Sequence, residues 1–383
     1  MATKTNLYNL TRDEMESFVL SLGEPRFRTK QIWHWLYRPL VTSFEEMGNL
    51  PKALREKLAE HATLGTLTEV AEIHSTDGHT QKWLLDLPDH EKIEAVLMEY
   101  DVRNTACISV QVGCAYACAF CATGRMGLIR NLEAGEIVSQ IVHVERELRR
   151  DGPPEGDHAL TNIVFMGMGE PLANYNDTIK AVTILNDHEG LNIGARRMTL
   201  STVGLVPAIR RLAEENIQVN LAVSLHSPID EIRSELVPIN RQYPIAELMD
   251  AVRQYIATTG RRITFEYAMI NEVNDTPEQA HALGRLIRGM LAHVNLIPLN
   301  PVPGSPWPAS DPKRIDEFVG ILRSYGVNAT VRMRRGIDVA AGCGQLYAAV
   351  EGRGRSIVPI SDYPSKDAVD QVVRQRIHQG KVL

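Results

Sequence analysis

The chain is short of cysteine, long apolar runs and positive charge, and each shortage removes a class of function. Only five cysteines occur in 383 residues. That is too few for the disulfide framework of a secreted scaffold, so metal or thiol chemistry is their expected use. No stretch of about 18 or more apolar residues exists, which predicts no membrane span. The opening MATKTNLYNLTRDEMESF carries acidic residues and no apolar run before a small-residue cleavage site, so no secretory signal is expected and the cytoplasm is the default compartment. Asp and Glu (47) outnumber Lys and Arg (41), and the net charge of −6 argues against a surface coated for nonspecific nucleic-acid binding, though local basic patches are allowed. Internal repeats and low-complexity tracts are also missing.

What is present is ordinary for a soluble globular protein: 44% hydrophobic and 23% charged residues in a length that suits two or three domains. Residues 1–70 read as helical, with Thr11 and Glu14 spaced as a capping box. Residues 71–100 alternate and carry turn signals such as Asp77-Gly78, predicting a small β extension of antiparallel strands. From there to about 340, apolar β-branched runs alternate with helical stretches: ACISVQV and 133–150, LTNIVFM and 174–188, RRMTLST and 205–215, IQVNLAVSL and 244–259, RITFEYAMI and 276–290, HVNLIPLN and 311–325. Six such strand–helix units predict an α/β fold, a partial TIM-like barrel with helices outside and chemistry at the carboxyl ends of the strands. Residues 341–383 are read as a mobile loop bearing Cys343 between Gly342 and Gly344, and a tail; no motif is recognised beyond about 355.

The unusual residues fall at that expected rim. GCAYACAFCATG follows the first strand and sets Cys114, Cys118 and Cys121 at i, i+4 and i+7. Three readings are open: small hydrophobes on one buried helix face, a zinc site lacking its fourth ligand, or an iron–sulfur cluster with one iron left free. Flanking Gly113 and Gly124 favour a loop around an object, and no second CxxC exists to close a zinc site. A free iron can chelate the amino and carboxylate groups of S-adenosylmethionine. GMGEP (167–171) follows the second strand; its glycines, Gly169 among them, permit close backbone approach to a ligand, and Glu170 is suited to an ammonium group. Ser201, the SLH stretch (Ser224, Leu225, His226) and Asn300 follow later strands.

CxxxCxxC in this setting resembles the radical S-adenosylmethionine superfamily. The stretches CISVQVGCAYACAFCATG, NIVFMGMGEPL, TLSTVGLVPAI, LAVSLHSP, LIPLNPVPG and AGCGQL are similar, more narrowly, to the RlmN-type dual-specificity ribosomal and transfer RNA methyltransferases. RFRTKQIWHWLY and FEEMGNLPKALREKL resemble that family's accessory domain, so the likeness spans nearly the whole chain. Ala119 is one departure, at a position where relatives often carry a charged residue.

The resemblance implies methylation of adenine carbon 2 in 23S ribosomal RNA and in the transfer RNA anticodon loop. It implies a 4Fe-4S cluster held by Cys114, Cys118 and Cys121, and two S-adenosylmethionine molecules per turnover, bound through Gly169, Glu170, Ser201, Ser224, Leu225, His226 and Asn300. Cys343 becomes the methyl carrier, Cys107 the thiol that releases product by forming a disulfide with it, and Glu94 the proton acceptor. An electron donor such as flavodoxin or ferredoxin and a monomeric state are further expectations. Relatives that methylate carbon 8 share both redox cysteines, and a noncatalytic, metal-stabilised RNA-binding module is the alternative from another class. RNA contacts are expected at RFRTK beside Trp33, Trp35 and Tyr37, at Arg196-Arg197 and Arg261-Arg262, and at Arg332, Arg334 and Arg335.

Overall fold

A computed structural model describes residues 4–65, 67–150, 152, 159–300, 302, 305–332 and 335–346; Arg334 and the tail after 355 lie outside these. The amino-terminal part holds three helices, α1 (Arg12–Ser21), α2 (Arg28–Tyr37) and α3 (Lys52–His61). Helix α1 starts at the expected capping box: the Thr11 amide donates to Glu14 Oε2 at 2.7 Å and the Glu14 amide to Thr11 Oγ1 at 3.4 Å. Helix α2 buries Ile32, Trp33, Leu36 and Tyr37, the i, i+1, i+4, i+5 stripe of a core-facing helix. Trp33 and Tyr37 are therefore core residues and not RNA contacts. Trp33 Nε1 donates to Asp187 Oδ1 at 3.1 Å, which fastens this helical layer to the rest of the molecule.

Among the described residues ten strands form one sheet whose spatial order follows the chain. They are β1 (Thr68–His74), β2 (Thr80–Asp86), β3 (Lys92–Tyr100), β4 (Arg103–Cys107), β5 (Asn162–Phe165), β6 (Met198–Thr202), β7 (Asn220–Ser224), β8 (Ile263–Met269), β9 (Ala292–Pro298) and β10 (Asn328–Val331). Strands β1 to β4 pair antiparallel, and β4 to β10 pair in parallel. Helices α4 (Ala134–Leu148), α5 (Tyr175–Asn186), α6 (Val206–Glu214), α7 (Asp230–Leu236), α8 (Ile245–Thr259), α9 (Pro277–Ile287) and α10 (Pro312–Ser324) make the crossovers. β1 and β10 do not pair, so the barrel stays open. The antiparallel strands extend the barrel's own sheet, and β10 adds a parallel strand beyond the six units read from sequence. Cys107 ends β4, where the sequence reading had it begin a strand.

Alternation along the strands decides where the site can be. Leu200, Leu221, Val223, Phe265, Tyr267, Val294 and Leu296 are fully buried in the main core. Their neighbours Thr199, Asn220, Thr264, Glu266, His293 and Asn295 line an interior cleft. Closed barrels fill this space with branched apolar side chains. Here the inward positions are polar and leave room.

Candidate active site

The cysteine segment is a loop. Gln111–Gly113 pairs antiparallel with Leu128–Asn131, and between them only Ala122–Arg125 is helical. The pinch needs glycine: at φ +75° a Cβ on Gly113 would lie 1.8 Å from the Gly127 carbonyl oxygen. The reading of three cysteines on one helix face is thereby excluded. Cys114, Cys118 and Cys121 instead line one cavity together with Gly169, Glu170, Ser201, Ser224, His226, Asn300 and Cys343. Leu225 does not join them: its side chain lies in the core, because strand alternation turns it away from its neighbours. Ala119 is buried, and its amide donates to the Leu236 carbonyl at 3.0 Å.

Burial pushes the three thiols up, Cys114 to about 12; repulsion within the trio adds to it at Cys114 and Cys118, and repulsion from Cys343 adds to it at Cys121. Thiolates are the metal-binding form, so these groups can ionise together only against a cationic partner. Among the described residues no three His, Cys, Asp or Glu side chains gather closely enough for a single ion. Three thiols also leave one iron of a 4Fe-4S cluster without a protein ligand.

Glu170, 3% exposed, lines the same cavity. The Leu172 amide donates to Oε1 at 3.0 Å and the Val203 amide to Oε2 at 2.8 Å, yet burial outweighs these and raises the carboxyl to about 7. Such a group gains most from an incoming cation, as an S-adenosylmethionine ammonium would supply. Gly169 has φ +98°, and a Cβ there would fall 2.5 Å from Gln111 Cβ. His226 is held neutral, its pKa lowered to about 3 by burial and then by Arg233; its Nδ1 accepts the Ala268 amide at 2.9 Å.

Cys343 joins two cavities. It lines the cysteine cavity and also a second one that contains Cys107, Met98, Tyr100 and Arg332. Its loop is tied to the cysteine loop, the Ala122 amide donating to the Gly344 carbonyl at 2.7 Å and Thr123 Oγ1 to the Leu346 carbonyl at 2.7 Å. Asn300 Nδ2 donates to the Cys343 carbonyl at 3.1 Å, and a Cβ on Gly342 would lie 2.5 Å from that nitrogen. Cys107 is buried, which raises its thiol to about 12, with the nearby Cys343 thiol adding to the rise.

Comparison with known proteins agrees with this geometry. Residues 5–64 match the family described as ribosomal RNA large subunit methyltransferase N-terminal domain, and residues 108–283 the radical SAM superfamily. A dual-specificity RNA methyltransferase RlmN 1 from Myxococcus xanthus is 50% identical, over 94% of this chain and 99% of its own length. A probable dual-specificity RNA methyltransferase RlmN from Chloroflexus aurantiacus is 48% identical, over 93% and 94%. The crystal structure of a radical SAM methyltransferase from Sphaerobacter thermophilus is 53% identical, covers 90% of this chain and 100% of that one, and superposes with a TM-score of 0.87. The chain belongs to the RlmN family.

As a radical SAM enzyme of the RlmN family it uses a 4Fe-4S cluster and S-adenosylmethionine, and the three thiols, Glu170 and the glycine-lined wall fit both. Glu94 is not brought to either cysteine cavity. It lies on β3 in a buried ion pair with Lys82 at 2.9 Å, and Lys82 Nζ also donates to the Ala340 carbonyl at 3.3 Å, under the Cys343 loop. Several expected RNA cations are engaged within the protein. Arg261 donates to the Val219 carbonyl and to Asn220 Oδ1, Arg196 to Gln218, and Arg335 lies over the Tyr100 ring. Arg332 Nη1 donates to Cys343 Sγ at 3.1 Å. That contact was not legible in sequence, since only loop closure brings the two together. Glu266, also missed, faces both the cysteine cavity and the interior cleft, its Oε2 accepting from Asn295 Nδ2 at 2.7 Å while burial raises its carboxyl. Its inward position in the alternation of RITFEYAMI was the available signal.

Proposed function

We propose that the chain methylates carbon 2 of adenosine in 23S ribosomal RNA and in the transfer RNA anticodon loop, through a methyl group carried on Cys343. The observation that carries this reading is that Cys343 lines both the cavity of the three cysteines and the cavity of Cys107. Carbon 2 lies between two electron-withdrawing ring nitrogens and is no nucleophile, so direct polar transfer from a sulfonium fails. A carbon carried on a mobile sulfur avoids the difficulty.

In this reading Cys114, Cys118 and Cys121 hold the cluster, and Glu170, Ser201, Ser224, His226, Asn300 and the backbone at Gly169 surround the S-adenosylmethionine. Bound there, the pair would supply the radical chemistry that removes a hydrogen from the methyl group on Cys343. Cys343 first takes that methyl group as a thiolate nucleophile. After its carbon has bonded to the adenine, the Cys107 thiolate attacks the Cys343 sulfur. The S–C bond to the product breaks with its electron pair left on the carbon, which takes a proton to complete the methyl group, and the two sulfurs, oxidised together, form a disulfide. Burial, and after it repulsion from the Cys343 sulfur, disfavour the Cys107 thiolate, and the second of these is lifted once the neighbouring sulfur is bonded and uncharged. Glu94 takes the carbon-2 proton, which requires the loop tied to Lys82 to shift. The protein works as a cytoplasmic monomer with flavodoxin or ferredoxin as reductant, residues 1–70 contacting RNA beside a barrel of residues 101–340. Among the described residues no helix is long and apolar enough to cross a membrane.

Replacement of Cys107 tests the release step. The Cys107→Ala enzyme, incubated with RNA under turnover conditions, is expected to accumulate protein covalently joined to RNA on a denaturing gel. Normal turnover by that variant would disprove the thiol pairing.

A further inference from the structure

Arg332 follows β10, and its amide donates to the Leu296 carbonyl at 2.8 Å, so the start of its side chain is fixed by the sheet. From there the guanidinium reaches the Cys343 sulfur at 3.1 Å. Arg332 lines both cysteine cavities and the interior cleft as well, and Glu266 shares two of these spaces with it. Coulombic attraction to Cys343 and then to Glu266 favours the charged guanidinium. A cation placed near a sulfur and a carboxylate has two acceptors, and the charge on the sulfur selects between them.

We propose that Arg332 is a positioning residue that holds the Cys343 sulfur at the junction of the two cavities while it is a thiolate, and turns to Glu266 once the sulfur carries a methyl group. This rests on the reading of Cys343 as methyl carrier. In the methylation step a bond forms from Cys343 Sγ to the methyl carbon and the carbon–sulfonium bond of S-adenosylmethionine breaks. The electron pair of that bond leaves with S-adenosylhomocysteine. Cys343 then becomes an uncharged thioether, a weak hydrogen-bond acceptor that cannot compete with a carboxylate for a guanidinium. The sulfur is released to turn toward the adenine only after it has been loaded. The same contact explains why Arg332 is withheld from RNA phosphate before loading.

The test uses anaerobically purified holoenzyme as wild type, Arg332→Gln, Arg332→Lys and Glu266→Gln. Peptide mass spectrometry reads two quantities at neutral pH: the rate at which iodoacetamide alkylates Cys343 without S-adenosylmethionine, and the S-methyl occupancy of Cys343 after S-adenosylmethionine is added. Loss of a charge-assisted contact is expected to slow both by about tenfold in Arg332→Gln. Arg332→Lys, which keeps a cationic donor, should stay within about threefold of wild type. Glu266→Gln should alkylate at or above the wild-type rate, because the competing carboxylate is gone. Wild-type alkylation in Arg332→Gln would overturn the proposal. Should that variant fail to fold, alkylation slowed about tenfold in Glu266→Gln would overturn it equally. A wild type that never acquires an S-methyl group, with the alkylation contrast intact, would instead sink the carrier reading and leave the hold on the sulfur standing.

Discussion

At the scale of single residues, His226 shows how the site holds a titratable group in one state. Its ring accepts the Ala268 amide and meets Phe120 edge-on at 4.7 Å, so protonation would cost a hydrogen bond as well as burial of charge. With its folded pKa lowered to about 3 against an ordinary value of about 6.5, the imidazole is neutral in both states above about pH 6.5. Below that, the unfolded chain binds a proton that the folded one refuses, and stability falls by up to about 1.4 kcal/mol per pH unit. Glu170 works the other way, because its raised folded pKa of about 7 lets the folded state take a proton before the unfolded one does. The two effects oppose each other in the wild type, and a variant separates them. His226→Gln is expected to gain stability relative to wild type as urea unfolding is moved from about pH 7.5 to about pH 5.5. Parallel pH dependences for the two proteins would show that His226 titrates in the fold.

At the scale of elements, the turn after β5 is built against the cysteine loop. Gln111 Oε1 accepts the Glu170 amide at 2.8 Å, and Gln111 Nε2 donates to Asn131 Oδ1 at 2.7 Å, so one side chain joins the turn to the hairpin that flanks the cysteines. Gly169→Ala would drive a Cβ into that side chain from a left-handed backbone. It is expected to cost about 1–3 kcal/mol in urea unfolding and to weaken S-adenosylmethionine binding in equilibrium dialysis. Unchanged stability and affinity would mean that Gln111 can move aside. Elements of this kind were legible in sequence where their signals are local. Thr276-Pro277 and Asp311-Pro312 mark helix starts, and the structure caps α9 with Thr276 and α10 with Asp311. β10 was missed because four residues followed by arginines carry little strand signal. Leu225 was grouped with Ser224 and His226 by adjacency, although a period of two sends it to the opposite face.

At the scale of the whole molecule, the helical layer and the open barrel share one hydrophobic core. Arg146 on α4 further ties them by donating to the Leu40 and Val41 carbonyls at 2.8 Å and 2.7 Å. This packing leaves the strand ends free to gather residues far apart in sequence. Cys107 and Cys343 face one space, while Cys343 and the three loop cysteines face another. What sequence could not supply was the joining of these spaces, which depends on the packing of the Cys343 loop against the cysteine loop. With Cys343 as the proposed carrier, that junction is the path of a carbon atom that loses a hydrogen while it is attached to the protein. Its most direct test is incubation of the enzyme and RNA with S-adenosylmethionine bearing a fully deuterated methyl group, followed by mass spectrometry of the nucleosides. A methyl group retaining two deuterons is the predicted product; retention of all three would contradict transfer through a radical on Cys343.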